Sequence, residues 1–190
     1  MSKIRIYIQN NIKKEKEIFL SKNQTHYLSN VMRKKNGDEV IIFNEINGEW
    51  IAIIRNIKSG IKLVVTKNLR DFDKKEVLDV WICFGIIKHK KINYLVEKVT
   101  EIGVTRILPI ESEYSEKNTI NYERLNKIAV EAVEQSDGIS IPLIQQKKSI
   151  KEIFLTCENE RVIFVCDEKN KKIMIADVLK KINFKKFAIF

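Results

Sequence analysis

The stretch Val77-Leu-Asp-Val-Trp-Ile-Cys-Phe84, followed by Gly85-Ile-Ile-Lys88-His-Lys-Lys91 and then by Ile92 to Gly103, decides the fold. Its first part is an apolar run broken only by Asp79 and rich in Val, Ile, Trp and Phe. That is the composition of a strand buried on both faces. Ile92, Leu95, Val96, Val99 and Ile102 then recur at helical spacing, and Gly103 stands where a helix stops. Ile107 to Ile110 is a second short apolar strand. Strand, helix and strand in that order predict a right-handed crossover within a parallel α/β sheet.

Downstream the alternation continues. Tyr122, Leu125, Ile128, Ala129, Ala132 and Val133 mark an amphipathic helix, with Asn121 as its cap. Ser149-Ile-Lys-Glu152 is a capping box that opens a short third helix. Arg161 to Cys166 reads as a strand, and Ile175, Val178, Leu179 and Ile182 trace a fourth helix. Lys186 to Phe190 begins another strand. An unpaired edge as apolar as Phe187-Ala-Ile-Phe190 would be adhesive, so the sequence leads one to expect a chain cut at this point.

Upstream the pattern is β-rich. Arg5 to Ile8 alternates as a strand does, and Glu39 to Asn44 and Glu49 to Ile57 are β-branched runs joined by Ile46-Asn47-Gly48. A turn at Ser59-Gly60 leads into Ile61 to Thr66. A helix over Gln24 to Arg33 is expected to present Leu28, Val31 and Met32 on one face. Several short strands with one helix suggest a small barrel. The charged segment Leu69 to Glu76 reads as a linker. These boundaries give a barrel over residues 1–70, a linker over 71–76 and an α/β domain over 77–190.

Composition narrows the function. With a hydrophobic fraction of 44%, six glycines and two prolines, a globular chain is expected rather than a disordered one. No apolar run is long enough to span a bilayer, and the start lacks the apolar core of a secretory signal. A soluble cytoplasmic protein is the expectation. Cys83, Cys157 and Cys166 are odd in number and irregularly spaced, and His26 and His89 are isolated, so no metal site is expected. Cys83 and Cys166 lie inside apolar runs and are expected to act as small hydrophobes. The net charge of +10 favours a polyanionic partner. A bias toward Lys, Ile and Asn can also enrich lysine on any solvated surface, and charge alone leaves both readings open.

No Gly-rich phosphate loop and no Ser-His-Asp or Cys-His constellation is visible. The basic clusters are Arg33-Lys34-Lys35 and Lys88-His89-Lys90-Lys91, and the second follows a buried strand, on the side of a parallel sheet where ligands bind. Glu101, Glu131, Glu134 and Gln135 are expected at helix C-termini, where an acid opposes the dipole and is not placed for stability.

Taken in order, Phe84-Gly-Ile-Ile-Lys88, Glu97-Lys-Val-Thr-Glu101-Ile-Gly103 and Arg106-Ile-Leu-Pro109 resemble the ribosomal RNA small subunit methyltransferase E family. The resemblance extends through Glu111-Ser-Glu-Tyr-Ser115, Glu131-Ala-Val-Glu-Gln135-Ser136 and Ile141-Pro142, and upstream through His26-Tyr-Leu28, Val31-Met-Arg33 and Asn36-Gly-Asp38. It implies a PUA-like β-barrel followed by a SPOUT-type, trefoil-knotted methyltransferase domain. It further implies a homodimer that uses S-adenosylmethionine to methylate N3 of a uridine in 16S rRNA of the small ribosomal subunit. The family's segments beyond a strand like Lys186 to Phe190 are not in this sequence. The α/β domain is therefore expected to be incomplete, and a non-catalytic RNA-binding remnant is the alternative.

Under this resemblance the expected catalytic residues are Lys88, Glu101 and Arg106, with Lys88 or Arg106 supplying the charge that stabilises the uridine anion and Glu101 orienting that charged side chain. Asp167 and Glu168 would contribute to the cofactor site. Arg5, His26, Arg33, Lys34, Lys35, Lys88, Lys90 and Lys91 would meet RNA, and Glu131 and Gln135 match family positions on the active face. Tyr114 stands where the family has arginine, and Gln135-Ser136-Asp137-Gly138 stands where it has Gln-Ser-Gly-Arg; the loss of these two arginines removes bidentate contacts that lysine does not reproduce.

Overall fold

A computed structural model describes residues 4–57, 60–73, 77–112, 120–157, 159–166, 169, 175–180 and 185–190. The chain's contacts group into two compact units, Met1–Lys74 with Val133–Ser140, and Lys75–Ala132 with Ile141–Phe190.

In the first unit, β1 (Arg5–Tyr7), β2 (Glu17–Phe19), β3 (Glu39–Asn44), β4 (Gly48–Ile57) and β5 (Gly60–Arg70) form one sheet in the order β1-β3-β4-β5-β2. The β1–β3 pair is parallel and the other pairs are antiparallel. Alternate residues of the β-branched runs point inward, so Ile6, Val40, Ile42, Ala52, Ile54 and Leu63 share one core. Asn44 makes the β3–β4 turn: its buried Oδ1 accepts the N–H groups of Ile46 at 3.0 Å and Asn47 at 2.7 Å. Gly48 follows at φ +73, and a Cβ there would lie 2.1 Å from the Arg70 carbonyl oxygen. Only glycine satisfies both demands.

The predicted helix over Gln24 to Arg33 is shorter and broken. Helix α1 (Lys22–His26) is opened by a Ser21–Gln24 capping box, then gives way to a π-helical turn, Tyr27–Val31. The wider turn shifts the face: Leu28 is buried, whereas Val31 and Met32 are 57% and 37% exposed. Strand β2 had no signal in the sequence, because three residues with one buried side chain show no periodicity.

The second unit contains β6 (Asp79–Gly85), α2 (His89–Glu101), β7 (Arg106–Glu111), most of α3 (Tyr122–Gln135), β8 (Leu143–Ile144), β9 (Lys148–Ser149), α4 (Ile150–Thr156), β10 (Val162–Phe164), α5 (Ile175–Leu179) and β11 (Lys186–Ile189). Its strands run parallel in the order β10-β11-β6-β7-β8, with β9 also on β7. Val80, Ile82 and Phe84 pack with α2 and α3 through Ile92, Val96, Leu125 and Ala129, while Trp81 and Cys83 join Leu108, Ile153 and Ala188. Cover on both faces explains why β6 reads as an unbroken apolar run. The cap on α3 is the predicted one, Asn121 accepting the Arg124 N–H at 2.9 Å, and the Ser149–Glu152 box opens α4.

Several expectations are corrected. β11 is no exposed edge: it lies between β10 and β6, and Ala188 is fully buried. Ile102 sits past the end of α2 and is 78% exposed, since Gly103, at φ +86, turns the chain away with its N–H on the Thr100 carbonyl. Cys166 lies beyond β10 and is exposed rather than buried. Of the charged segment Leu69 to Glu76, Leu69 and Arg70 belong to β5, and 74–76 lie outside the described residues, as does Ile182.

Candidate functional site

Parallel strands give the second unit two unlike edges. Register pairs Trp81 with Arg106 and Gly85 with Ile110, so β6 and β7 start together at one edge and end together at the other. Ligands of such sheets bind beyond the carboxyl ends.

At that carboxyl edge β6 runs through Ile86 and Ile87 into Lys88, the residue before α2. Lys88, Lys90 and Lys91 are exposed, and no acid occupies the first turn of the helix. The helix dipole disfavours cations at an N-terminus by about 0.3–1 kcal/mol each. Helix stability therefore does not account for these lysines. Beside them a small cleft of about 130 Å³ is lined by Ile92, Asn93, Ile120, Asn121, Arg124 and Leu125.

The opposite edge holds a different group. Arg161, buried, donates to the Asp79 carboxylate, to the Asp79 carbonyl at 3.0 Å and to the Phe187 carbonyl at 3.3 Å, and lies 3.7 Å from the centre of the Trp81 ring. Trp81 Nε1 donates to Asp79 at 3.0 Å, and Thr105 Oγ1 donates to the same carboxyl oxygen. Partial burial pulls the Asp79 pKa up, but the bonds from Arg161 and Thr105, the Arg161 charge and the Trp81 bond outweigh it and hold the carboxyl below its usual value. Arg106 joins this group with its guanidinium 4.1 Å from the Trp81 ring centre. Nothing in the sequence pointed to Arg161, because a cation inside a strand-like run has no motif.

The expected catalytic residues are therefore not together. Lys88 and Glu101 stand at opposite ends of α2, 13 residues and about 20 Å apart. Glu101 accepts from Lys98 at 2.9 Å, and Lys98, bonded to Glu97 and then Glu101, has its pKa raised. The idea that Glu101 orients Lys88 is overturned by that separation, and Arg106 shares the far edge with Glu101. Asp167 and Glu168 lie outside the described residues, as does Tyr114, and of His89 only the backbone is described.

In the first unit Arg5 is corrected from an RNA contact to an internal tie. It is 8% exposed, with Nε on Glu49 at 2.8 Å and Nη atoms on the carbonyls of Val133, Ser136 and Gly138. Glu134 accepts the Tyr7 N–H at 2.9 Å, whereas Glu131 and Gln135 are exposed. Tyr7 is pushed up to about 12 by burial and by the charge and hydrogen bond of Glu45. His26, Arg33 and Lys35 are exposed and Lys34 is half-buried. Arg33 holds φ +52, a left-handed conformation that costs a side chain roughly 1 kcal/mol. Exposed Val31 and Met32 precede it.

Among the described residues no cluster of three metal-ligating side chains exists, and no helix is long and apolar enough to cross a membrane.

A family described as RNA methyltransferase domain matches residues 74–190, and one described as RNA methyltransferase PUA domain matches residues 20–67. Ribosomal RNA small subunit methyltransferase E of Rickettsia conorii is 29% identical over 170 residues, covering 88% of this chain and 68% of that protein. Its namesake in Buchnera aphidicola (Acyrthosiphon pisum) is 31% identical over 165 residues, covering 83% and 63%. The solved structure of a ribosomal RNA small subunit methyltransferase E from Neisseria gonorrhoeae, bound to S-adenosyl methionine, superposes with a TM-score of 0.82 at 17% identity, over 99% of this chain and 78% of that one.

Proposed function

Because the chain belongs to the RNA methyltransferase family, alongside the ribosomal RNA small subunit methyltransferase E proteins, we propose that it acts in the transfer of a methyl group from S-adenosylmethionine to N3 of a uridine in 16S rRNA. The observation that carries this reading is the match over residues 74–190, which takes in the whole α/β unit from β6 to β11. The working protein is read as a cytoplasmic homodimer acting on the small ribosomal subunit.

S-adenosylmethionine supplies the electrophilic methyl group. The cleft of about 130 Å³ is well below the roughly 300–1,000 Å³ of pockets that enclose such ligands, so no described residue is assigned to the cofactor. What the chain's own residues contribute is position and charge. Uridine N3 must give up a proton, leaving negative charge on O2 and O4. Lys88, an exposed ammonium at the carboxyl edge where ligands of such sheets bind, is the residue we assign to that charge; Arg106 and Glu101 lie at the other edge, which supports this choice among the three. The base must also leave its stack, and Arg33, Lys34 and Lys35 hold the RNA backbone while it does.

The test uses methyl-labelled S-adenosylmethionine and small subunits lacking the modification. Label at uridine N3 is expected, with Lys88→Ala lowering kcat roughly 100-fold. A folded chain that binds RNA but transfers no label would favour the non-catalytic alternative. Full activity in Lys88→Ala would remove that residue from the reaction.

A further inference from the structure

Cations on the second unit fall into two sets. Lys98, Lys127, Lys147, Arg161 and Lys186 each have a carboxylate within ion-pair distance. Lys88, Lys90, Lys91 and Arg124 have no ion pair among the described residues, and neither do Arg106, Lys148, Lys151, Lys180 and Lys185 elsewhere on the unit. Arg124, Lys88 and Lys90 are neighbours of one feature. Arg124 lines the cleft between α2 and α3; Lys90 precedes the lining residue Asn93 by three positions on α2, which puts the two on one helix face, and Lys88, the residue before α2, accepts the N–H of the lining residue Ile92 at its carbonyl, 3.1 Å.

The cleft is small and of mixed character. Ile92, Ile120 and Leu125, all at least nine-tenths buried, make its apolar part. Its polar part is two carboxamides and one guanidinium. Asn121 uses its Oδ1 to cap α3, which leaves its amide N–H groups to donate outward. Asn93, half-buried, has no hydrogen-bond partner for its side chain among the described residues. The lining holds no histidine, cysteine or carboxylate, so the cleft offers contacts to a group and no general acid or base. Its volume excludes S-adenosylmethionine and leaves space for one flat ring.

An apolar slot with carboxamides at its mouth and unpaired cations around it matches an unstacked nucleobase followed by its phosphates. Resting on the RNA methyltransferase reading given above, we propose that this cleft is a subsite for an unpaired base of the RNA adjoining the one that is modified. Asn93 and Asn121 recognise the base edge, and Arg124 with Lys90 binds the flanking phosphates. The subsite gives the α/β unit its own hold on the RNA and fixes the strand's register.

Binding of a fluorescent single-stranded oligouridine of about ten nucleotides, read by anisotropy over a range of salt, tests this with the full chain. Asn93→Ala is expected to weaken binding roughly tenfold and leave the salt dependence unchanged, since it removes neutral hydrogen bonds. Arg124→Ala is expected to weaken binding and to lower the slope of log K against log salt by about one. Both positions are solvent-accessible on helices that alanine favours, so both variants fold, and circular dichroism checks this. Unchanged affinity in both variants, with binding still lost in Arg33→Ala, would overturn the subsite and leave the proposed function standing. An effect of Arg124→Ala without one from Asn93→Ala would also overturn it, since phosphate contact alone needs no base cleft. No binding by the unaltered chain would overturn the subsite and the RNA reading together.

Discussion

Three arginines show what a residue's surroundings do to the same side chain. Arg5 and Arg161 lie inside, each bound to backbone carbonyls and one carboxylate, whereas Arg33 is exposed at φ +52. Arg161→Ala should destabilise the chain by about 2–3 kcal/mol in urea unfolding, because Asp79 loses its partner while keeping some contact with water. Asp79 also gives the pH dependence its sign. Its folded pKa is depressed, so its stabilisation is full above the unfolded value of 3.8 and is lost as pH falls through the lower folded value. Melting curves should show Tm dropping across that acid range, and Asp79→Asn should flatten the drop. Arg33 is predicted to behave in the opposite manner to a structural residue. Arg33→Gly relieves the left-handed strain and should leave stability unchanged or raise it by less than about 1 kcal/mol, yet weaken RNA binding. A variant that loses stability and affinity together would count against a binding role. None of these environments was legible in the sequence, where Arg5 and Arg33 both read as RNA contacts. Burial is a property of long-range partners, and the carbonyls that hold Arg5 lie more than a hundred residues away.

Elements were far more legible than sites. β6, α2, β7, α3 and α4 were readable because each carries its own period or cap: apolar runs, helical spacing, Asn121 and the Ser149–Glu152 box. β2 and the π-helical turn were not, since three residues have no period and a one-residue widening of a helix leaves no mark on its composition. Two of the three expected positions of the Gln24 to Arg33 helix face failed for that reason, Val31 and Met32 being turned outward. The β3–β4 hairpin tests the strength of a local signal. Gly48→Ala should cost more than about 2 kcal/mol in chemical denaturation, because the new Cβ meets the Arg70 carbonyl and the backbone is left-handed. Asn47→Ala, outside that constraint, should cost less. The reverse order would mean that the close approach to Arg70 is not what fixes glycine there.

At the scale of the molecule, the α/β class and the β-rich first unit could be read because strand and helix periods alternate after Val77 and not before it. The candidate site could not, because Lys88, Glu101 and Arg106 are close in sequence while a parallel crossover sends its two ends to opposite edges of the sheet. The whole-molecule charge of +10 carries one prediction. Replacing Arg33, Lys34 and Lys35 together with alanine should lower the slope of log K against log salt for single-stranded RNA by about two to three, and an unchanged slope would place the phosphate contacts elsewhere. The position of β11 has a consequence of another kind. It separates β10 from β6, and its partner Asp79 is more than a hundred residues earlier in the chain. Until Lys186–Ile189 has been synthesised, one side of β6 has no partner, and the loop to be closed is long. High contact order of this sort slows folding and keeps an apolar strand open to other chains. The newly made protein is therefore most prone to aggregate in the interval before its sheet can close, and a chaperone that shields β6 would act during that interval.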